Sequence, residues 1–65
     1  MNTNKLKGKI VECGLNAEKV AELMGIHHTT MLRKLKFGSF LIDEALKLQT
    51  ILSLTEEEAI DIFLR

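Results

Sequence analysis

Several absences narrow what this chain can be. Its 65 residues include one cysteine and no proline or tryptophan. A lone thiol, Cys13, cannot close an internal disulfide and leaves too few ligands for a zinc site. No apolar run approaches the ~20 residues that span a bilayer. Met1-Asn2-Thr3-Asn4-Lys5 is not followed by the uninterrupted apolar stretch of a signal peptide. A reducing, cytoplasmic setting is therefore expected. Apolar residues make up 46% of the chain, too many for a disordered tail. So short a chain sits near the lower limit for an unstapled core, and one small domain is expected. Catalysis has no footing either. There is no glycine-rich phosphate loop, no nucleophile–base pair and too little chain to wall off a pocket of ~300 Å³. Neither an enzyme nor a cofactor is expected.

Net charge is also absent, but only by cancellation. Up to Ile42 there are seven basic and three acidic residues, a balance of +4. From Asp43 onward two basic residues face six acidic ones, a balance of −4. Such asymmetry between halves is more informative than the zero total.

The basic half contains the stretch around which the rest is arranged, residues 16–36. Asn16 is a good helix N-cap, because its side-chain oxygen accepts from backbone N–H groups that lack intrahelical partners. Val20, Leu23 and Met24 follow at helical spacing, with Ala21 beside them. Gly25 stops that helix, since glycine takes the left-handed conformation without steric cost. His27-His28-Thr29-Thr30 then opens a second helix over 27–36, whose apolar face carries Met31 and Leu35. So short a link forces the two helices to cross steeply, which is helix-turn-helix geometry.

Ala21, Gly25, Ile26 and Met31 stand at the spacing of the helix-turn-helix in the phage Cro/repressor family, which this stretch resembles. The resemblance implies an all-α, five-helix Cro/repressor-like domain spanning 1–65. It further implies a sequence-specific DNA-binding regulator of a phage or prophage switch, acting as a homodimer on double-stranded operator DNA. It assigns base contacts in the major groove to His28, Thr29, Leu32 and Arg33, and backbone contacts to Asn16, His27 and Lys36. The side-chain chemistry suits those roles. Arg33 can donate two hydrogen bonds to guanine, and the methyl of Thr29 or Thr30, or the Leu32 side chain, can touch a thymine methyl. Lys34 and Lys36 would serve as point charges toward phosphates. Where the family places a phosphate-contacting Gln or Thr, this chain has Ala17. A partner-binding role on the same fold, for example capping a repressor protein, is the alternative.

The flanks complete the five-helix layout. Leu6, Ile10 and Cys13 give a first helix one face, with Cys13 expected as a buried small hydrophobe and Lys5, Lys7 and Lys9 facing water. Gly14 ends that helix, and Leu15 packs inward as a hydrophobic staple. Lys36–Phe40 reads as a loop, with Phe40 expected to enter the core. Apolar residues cover more than half of the helix from Ile42 to Leu52, so it is expected to be central and buried. Thr55 and Glu58 spell a capping box, and Glu56, Glu57 and Glu58 favour the positive end of the helix dipole. The acidic run thus has a local reason. His27-His28 does not make a metal site, since adjacent helical residues diverge by about 100° and no ligand stands four residues away. Ala59, Ile60, Ile62, Phe63 and Leu64 crowd a last segment too short to bury them all, which points to contact with another subunit.

Overall fold

Each helix begins where a side chain relieves an orphaned backbone group. In the computed structural model, which describes all 65 residues, five helices form and no strand. They are α1 (Thr3–Glu12), α2 (Ala17–Met24), α3 (His28–Phe37), α4 (Ile42–Ile51) and α5 (Glu56–Phe63). Asn2 caps α1 by accepting from Lys5 N–H at 3.1 Å, and Asn16 caps α2 by accepting from Lys19 N–H at 2.8 Å. For α3 the cap is an imidazole: His27 Nδ1 accepts from Thr29 N–H at 3.2 Å. The capping box of α5 is reciprocal, with Thr55 and Glu58 each accepting from the other's N–H at 3.1 and 3.0 Å. Leu41 has no oxygen to offer α4, so Glu44 supplies half a box by accepting from the Leu41 N–H at 2.8 Å.

Eleven buried residues, all apolar, form one core. Leu6 and Ile10 come from α1, Val20, Ala21 and Met24 from α2, and Met31 and Leu35 from α3. Leu48, Leu52, Leu54 and Ile62 close it from the C-terminal side. The most intimate pair is α2 with α3, and α4 packs on α2 while α1 bridges α3 and α5. Gly25 ends α2 at φ 73°, in the left-handed region, so that only Gly25, Ile26 and His27 separate it from α3. Leu15 and Phe40 are half-buried against the core. No helix is long and apolar enough to cross a membrane.

Four expectations are corrected. Cys13 is exposed; its Sγ reaches the Leu52 carbonyl oxygen at 3.6 Å, because the chain turns outward at the end of α1. Leu23 is exposed, since Val20, Ala21 and Met24 take the inward face of α2 and leave it on the flank. Phe37 is helical too, one residue past the helix expected over 27–36, and α3 ends at Gly38 with φ 66°. Most consequentially, α4 is not a buried central helix. Leu48 is its one fully buried residue, while Ile42 is 81% and Leu46 57% exposed. Packing on α2 covers one face of α4, and Ile42 and Leu46 lie on the other.

Candidate nucleic-acid interface

With Met31 and Leu35 held in the core, the remaining sides of α3 must point outward. His28, Leu32 and Lys36 form one exposed stripe at four-residue steps, and Thr29, Arg33 and Phe37 form the next. Both run the length of α3. Thr30 is half-buried at the inner edge. Asn16 is exposed at the start of α2, and its side-chain oxygen is already engaged in capping. His27 is likewise engaged through Nδ1, which fixes its ring at the entry to α3. The structure thus brings His28, Thr29, Leu32, Arg33 and Lys36 onto one surface, with Asn16 and His27 serving helix starts.

Lys34 goes elsewhere. Its ammonium donates to the Ser39 carbonyl at 3.2 Å and pairs with Glu44 at 3.0 Å, both side chains being largely covered. This clamp joins the last turn of α3 to the first of α4. The expectation that Lys34 points toward phosphates is therefore corrected: the acid that completes the start of α4 draws it inward. Burial pushes the Glu44 carboxyl up, but the Leu41 N–H and the Lys34 ammonium outweigh it and hold the group below the usual carboxylate range.

Ion pairing sorts the remaining charges. Lys5 pairs with Asp61 at 3.5 Å, Lys9 with Glu12 and Glu58, Lys19 with Glu22 at 3.6 Å, and Arg65 with Asp61 at 3.2 Å. The hydrogen bond from Lys9, seconded by the Thr55 N–H, holds the Glu58 carboxyl below its usual range and raises the Lys9 ammonium. Lys7, Arg33, Lys36 and Lys47 have no carboxylate within ion-pair distance. Arg33 and Lys36 belong to the exposed face of α3. Lys7 lines a cleft of about 300 Å³ between α1 and α3, whose other walls include Leu32 and Asn16. Lys36 also lies over the Phe37 ring, 5.4 Å from its centroid. One acid encroaches on this face: Glu18 of α2 stands 3.8 Å from His28 Nδ1.

Two residues of this surface escaped the sequence reading. Lys7 reads as one of three solvated lysines on α1, and only the packing of α1 between α3 and α5 separates it from Lys5 and Lys9, which meet Asp61 and Glu58 of α5. Phe37, 69% exposed, was legible in principle. It stands four residues after Arg33, hence on the same stripe, once α3 is known to continue past Leu35. Comparison of the chain with family models, curated proteins and solved structures returns no match.

Proposed function

We propose that this chain is a sequence-specific DNA-binding regulator that lays α3 in the major groove of operator DNA. In this reading α2 and α3 are a Cro/repressor-like helix-turn-helix. The observation that carries it is the sorting of charge: of the four lysine and arginine side chains without an acidic partner, three lie on or beside the exposed face of α3. Arg33 is the base reader, donating to guanine O6 and N7. Thr29, on the same stripe as Arg33, and Leu32, on the neighbouring one, offer methyl groups to thymine. His28 meets base edges near the start of the helix, while Lys36 and Lys7 approach the phosphates from either side. Lys34 holds α3 against α4 instead of touching DNA.

Selection of bound duplexes from a random pool, at moderate salt, tests this directly. Enrichment of a defined site, lost on substituting Thr29 and Arg33, supports it. Recovery of no sequence, with binding that disappears as salt rises, would sink it.

A second reading has its own observation. The cleft between α1 and α3 is walled by Ile10, Leu15 and Leu35, and exposed Val11 and Leu32 stand at its edge. That apolar hollow beside α3, together with Glu18 close to His28, suits a partner protein such as a repressor domain better than a phosphate backbone. The same selection separates the two readings.

A further inference from the structure

Major-groove base edges offer an apolar side chain little beyond thymine methyls, and phosphates offer it nothing. The cleft between α1 and α3 is nevertheless apolar in all of its lining except Lys7 and Asn16. Val11, 73% exposed, rises from its α1 wall, and Leu32, 49% exposed, from its α3 wall. The hollow behind Leu32 is therefore idle when α3 meets a duplex. We propose that this cleft receives an acidic amphipathic helix of another protein, its aliphatic side chains inward and its carboxylates along the edges.

Charge gives the partner its sign. Each wall carries the same pair at one-turn spacing, Val11 with Lys7 on α1 and Leu32 with Lys36 on α3. Both lysines are exposed, and neither has a carboxylate within ion-pair distance. Glu12, next to Val11 in the chain, is taken up by Lys9. The one acid on the face of α3, Glu18, stands by His28, at the opposite end of that helix from Lys36. Apolar walls edged by unpaired ammonium groups complement aliphatic residues edged by carboxylates, and they repel a basic helix.

Secondary structure gives the partner its form. The chain has no strand, so there is no sheet edge for an extended peptide to join. The lining has no aromatic residue, which a polyproline segment needs. What fits is a helix laid in the groove between two helices, anchored by aliphatic residues at three- and four-residue steps. Such a partner is that of the second reading above, now with its chemistry specified, and its docking requires no DNA.

Selection of helical peptides from a displayed random library on the purified chain, without DNA, tests this. Enriched peptides should carry Leu, Ile or Val at helical spacing, flanked by Asp or Glu. Their affinity, read by fluorescence anisotropy, should fall about tenfold or more on Val11→Lys. The helical circular dichroism should be retained, because Val11 is exposed. Lys7→Glu and Lys36→Glu should each weaken binding about threefold to tenfold, and peptides with lysine in place of the acids should recover it. No enrichment, or affinity indifferent to Val11→Lys, would overturn the proposal. So would binding lost on Leu46→Lys alone, which would put the peptide on the exposed face of α4. Basic peptides that still depend on Val11 would overturn the acidic partner while leaving the cleft a protein-docking site. The duplex selection described above is scored separately. A chain that binds acidic peptides and selects no duplex keeps this site and loses the DNA reading, and the reverse result loses this site alone.

Discussion

The α2–α3 pair and the α4–α5 pair are made of comparably apolar sequence and treat it differently. Between them α2 and α3 bury Val20, Ala21, Met24, Met31 and Leu35, with Gly25 making the turn that presses one helix on the other. What they leave outside is mostly polar: His28, Thr29, Arg33 and Lys36. By contrast α4 and α5 bury Leu48 and Ile62 and leave Ile42, Leu46 and Ile60 in water. One pair turns most of its apolar residues into the core and leaves Leu23, Leu32 and Phe37 exposed among polar neighbours. The other has an apolar face with nothing over it. Amphipathic spacing alone is shared by both, so the difference lies in which neighbour reaches each face.

The sharpest break of this contrast lies within the core. Met31 is fully buried, and Met31→Ala should cost about 2–5 kcal/mol, a large part of the stability of so small a domain. Leu46→Ala on the exposed face of α4 should stay within about 0.5 kcal/mol in the monomer. Thermal unfolding followed by circular dichroism, at concentrations low enough to favour the monomer, checks both. Comparable losses would mean that α4 is covered after all.

Next in size are the effects on DNA. Arg33→Ala should weaken binding to the selected site by about 1–3 kcal/mol and relax preference at one base pair. Lys7→Ala and Lys36→Ala should each weaken all duplexes alike and lower the salt slope by about one. Equal losses on specific and random duplexes for Arg33→Ala would remove it from base reading.

The Lys34–Glu44 clamp joins the two halves, and acid should loosen it. The Glu44 and Glu58 carboxyls both titrate below their usual value of 4.5 in the folded chain. Their contribution is therefore fully present above that value and is lost as pH falls through the lowered folded values. Glu44→Gln should cost about 1–2 kcal/mol at neutral pH, since it removes the charged acceptor of Lys34, and it should flatten part of the acid limb in urea titrations. An unchanged acid limb would place the sensitivity elsewhere. The smallest effect is a gain. Gly8 lies inside α1, and a methyl group added there would meet no heavy atom within 4 Å. Gly8→Ala should therefore stabilise by about 0.5–1 kcal/mol, read as a rise in the thermal midpoint.

Much of the fold was legible because its signals are local. Asn16 and Thr55 mark helix starts through bonds spanning three residues, and Gly25 marks the turn through its own backbone freedom. The inward face of α3 follows from Met31 and Leu35 being one turn apart. Partners distant in sequence were not legible. Nothing near Lys34 announces that Glu44 will meet it, and nothing separates Lys7 from Lys5 and Lys9 until α5 places Asp61 and Glu58 beside the latter two. Cys13 failed for a related reason: its spacing from Leu6 and Ile10 is helical, but α1 ends at Glu12 and its side chain lies at the rim.

By itself, then, the amino-acid order determined the helices, their caps, the tight link between α2 and α3 and the basic and acidic halves. These depend on interactions within a few residues, which survive in any arrangement of the rest. Tertiary structure alone decided which cations keep a carboxylate partner, that Lys34 turns inward, and that α4 keeps one apolar face open. Each depends on what packs opposite, which residues distant in sequence supply.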